Sequence, residues 1–495
     1  MYKKSILDKQ EWLICEIIEI LALNETGLSK KALCEQLGVS ETAVKVALLQ
    51  LDEDFNSGDT PYMIIKKNNV QLVGKGKINF NEKIYDYIKK SINYQILMAF
   101  YTKGNGRVEN LGAKLNVSEA SVFRRIKRLT PLLEGFNLKI AQGVMLGDES
   151  QIRFFYYSLF LGIDFKFEES IENGSIMTII ERFEEYFDFN VNDSSLVRVK
   201  IWLKVTSQRM TVNDQDNHNI SSVLEDMVTN NSLFDSVEEE FGEIIKQFKD
   251  KVDVHFESAL LYAWTIAFVS VPWSTFVAHD FVAINRRNNN KLQQAVEFLE
   301  NGFEKSLGIQ ISGGDLSESL YPICTEAFCF HGILKSVSTT MMETYRVKSD
   351  NALVRKNVEE AMDAMIEEVK DQPEWHQFYL RYGVSFANSV MEIFNSRLLA
   401  KEQLLTVGVD LNTDERVKDV FIMYVSQLLN GNLRVNLDVY DSNRNYDLVV
   451  TNFMNKNYLN STLEKYIITG LGTDNDVTGV EQKLTAILKK YYHEN

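Results

Sequence analysis

Arg124, Arg125, Lys127 and Arg128 put four cations into five positions of a 495-residue chain whose formal charge is −16. Guanidinium and ammonium groups held on one side of a helix suit phosphate and base edges, not bond-making chemistry. Other reactive residue types are sparse. Cys324, Cys329 and His331 lie close together, but spacings of five and two do not bring three ligands to one helical face, so they read as packed thiols rather than a metal site. "LGTDNDVTG" (471–479) lacks both a phosphate loop's Gly-Lys-Ser/Thr and a calcium loop's spacing, and reads as a capped turn. "KGNGR" (103–107) reads as a tight turn before a helix. No nucleophile–base constellation is present, so the expectation is a protein that is not an enzyme and carries no metal or cofactor.

The charge is unevenly spread. Residues 1–140 hold 21 lysines and arginines against 16 carboxylates, and the remainder 32 against 53. A small polyanion-facing unit on a large acidic body is implied, with binding that is local and salt-sensitive. The length predicts roughly three to five domains. A hydrophobic content of 45%, a charged content of 25% and 5 prolines describe helix-rich globular protein. No apolar run is long enough for a membrane span, and Glu11, Glu16 and Glu19 interrupt the opening apolar stretch. Four scattered cysteines suit a reducing interior, so a cytoplasmic protein is expected.

The elements that must present the cations come as two copies of one pattern. "LSKKALCEQLGVSETAVKVALLQL" (28–51) aligns with "GRVENLGAKLNVSEASVFRRIKRL" (106–129). Each reads as a short helix, a three-residue break and a second helix. Gly38 and Asn116 tolerate the left-handed break, Ser40 and Ser118 cap the next helix, and Val39 and Val117 turn inward. This is a helix-turn-helix signature. In the second copy Val122, Ile126, Leu129 and Leu133 form the buried stripe, which Phe123 is expected to widen. Ser121, Arg124, Arg125 and Arg128 are expected on the opposite side, in or beside a major groove, with Lys127 toward phosphate. Pro131 is expected to end or kink the helix. The first copy offers only Thr42 and Lys45 before "LDEDF" and is the weaker reader. A wing follows each copy: "YMIIKKNNVQLVG" (62–74), with Lys66 and Lys67, and "FNLKIAQGVMLGD" (136–148), turning at Gln-Gly.

From Ser150 to about Leu399 the patterns are helical, with an expected break at the Asn-rich "HDFVAINRRNNNK" (279–291), giving two helical bundles. After that, strand-like "LLTVGVDL", "LRVNLDVYDS", "YDLVVTN" and "KYIITGLG" alternate with helices, which implies a small open α/β sheet.

Tandem winged helix-turn-helix units, then "GVMLGDESQIRFFYYSLF", two all-helical parts and an α/β tail resemble the Mga/AtxA-like family of bacterial virulence regulators. The resemblance runs the length of the chain through the order of its parts, and is most specific at the second copy with "GDESQIR". It implies a mainly α, multidomain fold: winged units at 1–75 and 76–150 (the second the main DNA reader), helical domains like phosphotransferase-system regulation domains (PRD-like) at 151–284 and 285–400, and an enzyme IIB-like α/β domain at 401–495. It also implies a transcription regulator, usually an activator, that binds double-stranded promoter DNA and forms a homodimer or higher oligomer through its C-terminal parts. Phosphocarrier proteins of the phosphotransferase system and RNA polymerase are the further partners implied.

Regulation domains of this kind take phosphate on histidine, and the resemblance makes His331, in a helical stretch, the first candidate and His218, in a loop, the second. The helix "VRVKIWLKVTSQRM" has no histidine where related domains often carry one. An enzyme IIB uses a cysteine after its first strand; here that place reads "VGVDLNTDERV", and no cysteine follows Cys329. A phosphotransferase-system carrier whose front end is only a packing module is the rival expectation. An RNA-binding antiterminator is a weaker one, because this helix-rich start does not resemble a small β-rich RNA-binding unit.

Overall fold

The computed structural model describes residues 6–24, 26–55, 63–66, 69–73, 80–104, 106–163, 174–187, 193–212, 220–246, 252–268, 276–307, 315–332, 352–401, 405–413, 415–429, 435–453, 463–468 and 474–494. They fall into two compact units, Met1–Thr344 and Tyr345–Asn495.

The first unit opens with α1 (Lys9–Leu23), β1 (Leu28–Ser29), α2 (Lys30–Leu37), α3 (Glu41–Phe55), β2 (Met63–Lys66) and β3 (Asn69–Leu72). The strands form one antiparallel sheet in the order β1-β3-β2. After α4 (Phe80–Lys90) the plan repeats in α5 (Ile92–Lys103), α6 (Val108–Leu115), α7 (Glu119–Glu134) and the hairpin of β4 (Lys139–Ala141) and β5 (Val144–Leu146). Gln142 (φ 52°) and Gly143 (φ 76°) are both left-handed, as a two-residue hairpin turn matching strand twist requires. In place of a third strand, the Gly106 N–H donates to the Gly143 carbonyl at 2.7 Å. Pro131 does not end α7, which runs on to Glu134. The Thr130 hydroxyl donates to the Ile126 carbonyl at 3.2 Å, one residue before the turn that loses its backbone donor to proline.

Nine helices follow among the described residues of this unit: α8 (Glu149–Ile163), α9 (Gly174–Phe187), α10 (Asp193–Val212), α11 (Ser222–Val228), α12 (Ser232–Lys246), α13 (Val254–Phe268), α14 (Phe276–Asn288), α15 (Lys291–Leu307) and α16 (Asp315–Cys329). In α8, Phe154, Phe155, Tyr156, Tyr157, Leu159 and Phe160 are all buried, the mark of a helix enclosed on every side. Phe136, just past α7, packs edge-on to Phe155 at 5.2 Å, so the second winged unit continues into the helical core. Deeper in, Trp202 and Trp264 stack at 5.2 Å, and Tyr157 meets both rings edge-on.

A buried ion quartet locks this junction. Glu149 takes Arg209 Nε at 3.0 Å and Nη2 at 2.8 Å, together with Arg153 Nε at 3.1 Å. Arg153 then donates from Nη1 and Nη2 to Glu257 at 2.5 and 2.7 Å. All four side chains are buried, with two charges of each sign. Burial alone pushes the Glu149 carboxyl up, but the Arg209 and Arg153 guanidinia outweigh it and hold it below the usual carboxylate range. "GDESQIR" therefore supplies Glu149 and Arg153 to a network completed by α10 and α13.

The expected break at 279–291 is instead helix through Asn288, interrupted only where Asn289 turns left-handed (φ 47°). Asn285 and Asn290 are buried and bonded to each other at 2.8 Å, so the run that reads as a linker is a satisfied inter-helix turn. The 284/285 boundary thus falls inside α14. Helix α16 packs on α11, α13 and α15, which joins helices expected to lie in separate domains.

In the second unit α17 (Ala352–Glu368) packs on α18 (Pro373–Lys401). Then come β6 (Leu405–Asp410), α19 (Glu415–Leu429), β7 (Val435–Val439), β8 (Leu448–Thr451), β9 (Lys465–Ile467) and α20 (Asp474–Glu494). The strands form a wholly parallel sheet in the order β7-β6-β8-β9, covered by Phe421, Val425 and Leu429 of α19 and Leu484 of α20. Helix α20 begins at Asp474, inside the stretch expected to be a capped turn. Among the described residues no helix is long and apolar enough to cross a membrane.

Candidate nucleic-acid interface

Both breaks have the predicted geometry. Gly38 (φ 64°, ψ 34°) and Asn116 (φ 53°, ψ 41°) are left-handed and close their helices. The next N–H in each copy turns back: Val39 to the Cys34 carbonyl at 3.2 Å, and Val117 to Gly112 at 3.0 Å. The Ser40 hydroxyl oxygen accepts from Ala43 N–H, and that of Ser118 from Ser121 N–H, both at 3.3 Å. Each second helix thus leaves its turn in the same direction.

The outward face of α7 differs from the expected one. Val122, Leu129 and Leu133 are buried, but Phe123 is 60% exposed and does not widen the core. Ala120, Phe123, Arg124 and Lys127 are exposed, spaced by three, four and seven, and Pro131 and Glu134 continue the exposed stripe. Glu119 is exposed at the first position, while Ser121 is half-buried. Arg125 and Arg128 do not share that face. Arg125 holds both Asp8 carboxylate oxygens at 3.0 Å and Asn93 Oδ1 at 3.1 Å. Arg128 donates to Asp8 at 3.2 Å and to the Leu7 carbonyl. Asp8 is the N-cap of α1, so the two arginines bind the second winged unit to the first.

The repeat itself carries the signal that would have separated these roles. Each residue of the first copy corresponds to the one 78 positions later, as Ser40 does to Ser118. Arg125 thereby corresponds to Ala47, which is buried, and Arg128 to half-buried Gln50, whose Oε1 accepts from Gln10 Nε2 at 3.1 Å. Arg125→Ala should therefore lower stability to denaturant by about 1–2 kcal/mol, since Arg125 is only 18% exposed but its partner Asp8 is 41% exposed and partly screened. Chemical denaturation of variant and parent checks this, and an unchanged midpoint would contradict the clamp.

On α3 the corresponding outward positions are Thr42, Lys45, Val46 and Leu49, all exposed. Apolar side chains replace Arg124 and Lys127, so this copy offers one cation where the second offers two. Lys66 ends β2, and Lys67 lies outside the described residues. Lys139 is exposed on the second wing.

His331 is not within a helix: α16 stops at Cys329, and the Gln151 amide spans the exit, donating to the Cys329 carbonyl at 2.8 Å and accepting the His331 N–H at 2.9 Å. The next residue, Gly332 (φ 107°), lies so close to the end of α7 that a Cβ would stand 2.7 Å from the Phe136 ring and 2.8 Å from the Gly135 carbonyl. His218 lies outside the described residues. Cys324 and Cys329 are buried, and burial pushes the Cys329 thiol up to about 12, so it stays protonated. Among the described residues no group of three histidine, cysteine or acidic side chains is disposed to hold a metal ion.

A capped helix pair, a two-stranded wing and an outward face bearing two cations define the winged helix-turn-helix class, whose second helix is shaped for the major groove. Residues 76–160 match the Mga helix-turn-helix domain. A domain of this kind is consistent with a DNA-binding regulatory role. The matched stretch holds the second winged unit and most of α8, including Glu149 and Arg153 of the quartet. A search of curated proteins finds no match to the chain.

Proposed function

We propose that the protein is a sequence-specific, DNA-binding transcriptional regulator with no catalytic step of its own, reading promoter DNA through the exposed face of α7. The observation that carries this reading is the placement of Arg124 and Lys127. Both are exposed on the second helix of a capped pair, and neither has an ion-pair partner among the described residues. The proposal extends to activation tuned by the phosphotransferase system. In it, the helices after α8 act as PRD-like regulatory parts and the parallel sheet as an enzyme IIB-like scaffold for self-association in the cytoplasm. RNA polymerase and the phosphocarriers are the partners in that reading. His331 is the favoured phosphate acceptor and His218 the second. The close approach of Gly332 to Phe136 supports His331, because a charge added there would act beside the end of the recognition helix.

The test uses full-length protein and duplexes enriched by it from a randomised library. Arg124→Ala should weaken binding by about 1–3 kcal/mol, and Lys127→Ala should mainly reduce the dependence of log affinity on log salt by about one unit. Anisotropy titrations at several salt concentrations measure both. Equal affinity of the folded double variant and the parent would refute the assignment. Incubation with labelled phosphoenolpyruvate and the phosphocarriers tests the regulatory part; label that passes stoichiometrically to sugar would favour a transport component instead.

A further inference from the structure

Resting on that reading of α7, we infer that Phe123 is a specificity-determining residue that recognises the C5-methyl group of thymine in the major groove. The ring is 60% exposed and lies outside the buried stripe of Val122, Leu129 and Leu133, so it is available to a partner. Phe123 stands between Ala120 and Lys127 at helical spacing and directly beside Arg124, the strip that faces the groove floor if α7 docks there. Arg124 and Lys127, which have no ion-pair partner among the described residues, set the character of the partner: two cations beside one ring suit a polyanion that also displays an apolar group. In a duplex major groove that group is the thymine methyl, the one hydrocarbon group a base pair displays there. Ala120, one turn earlier, leaves space for a base edge to approach. The first copy has Lys45 where Phe123 stands, with Val46 and Leu49 in place of the cations, so ring and flanking charges occur together only in the second copy.

The experiment uses full-length protein and its enriched duplexes, remade with deoxyuridine at each thymidine in turn, which removes the methyl but keeps the pairing. At one or more positions the parent should lose about fourfold in affinity per methyl, the transfer value for one buried carbon. Phe123→Ala should bind the thymidine and deoxyuridine duplexes alike. That variant should fold normally, because the ring is exposed and alanine favours helix. Equal parent affinity for the two duplexes at every position, with Arg124→Ala still weakening binding, would overturn the inference while leaving DNA reading intact. Failure to enrich any duplex would overturn both. Reduced self-association of Phe123→Ala in light scattering, with unaltered duplex discrimination, would assign the ring to a protein contact and also overturn the inference.

Discussion

Arg153→Ala is expected to destabilise the first unit by about 3–5 kcal/mol, the largest effect of any single change at the junction between the second winged unit and the helices. Arg153 lies between Glu149 and Glu257 in an enclosed site. Its removal leaves Glu257 buried with neither of its guanidinium bonds, while Glu149 keeps only its bonds to Arg209. The penalty comes from that stranded charge more than from lost attraction. Removing Glu257 as well, in Arg153→Met with Glu257→Leu, should recover most of the loss, because Glu149 and Arg209 remain a neutral pair. Urea unfolding followed by the fluorescence of Trp202 and Trp264, which lie in this core, measures both variants. A single variant that loses under about 1 kcal/mol would show that the network contributes little to the fold.

Glu326→Gln should stabilise the protein at about pH 8 by up to about 3 kcal/mol and do little at about pH 4.5. Burial in α16 pushes the Glu326 carboxyl up to about 7 from its ordinary 4.5, and the Arg198 guanidinium only partly offsets this. The folded chain therefore holds that proton more tightly than the unfolded chain does. Stability from this group is complete below about pH 4.5, falls as pH rises, and is gone above about 7. Glutamine keeps the shape without the charge and removes the dependence. Thermal unfolding of parent and variant across that range should give curves that meet at the acid end and separate toward alkaline pH. A constant separation would mean that Glu326 ionises as freely folded as unfolded.

Both expectations concern groups whose importance was hidden in the linear chain. "GDESQIR" stood out as a motif, yet Arg209 and Glu257 lie 60 and 108 residues beyond Glu149, and only the packing of α10 and α13 on α8 brings them to it. Local features were far more legible. The helix breaks at Gly38 and Asn116, the serine caps and the Gln-Gly turn follow from backbone preferences within three or four residues. The small α/β sheet of the tail followed from alternating strands and helices, and the structure shows it to be wholly parallel. The Asn-rich run at 279–291 misled because asparagine favours turns when solvated, whereas here two asparagines satisfy each other in the interior.

The amino-acid sequence by itself determined the repeated helix-turn-helix, its wings and the concentration of cations on the second helix. These depend on short-range spacing and side-chain chemistry, which one dimension records. Only the tertiary structure decided which cations face outward. Periodicity divides a helix into faces, but which flank meets solvent depends on a neighbour, here Asp8, which lies 117 residues from Arg125 in the chain and at hydrogen-bond distance in the fold. Arg125 and Arg128 were thereby taken for structure, and Phe123, Arg124 and Lys127 were left to the exposed face.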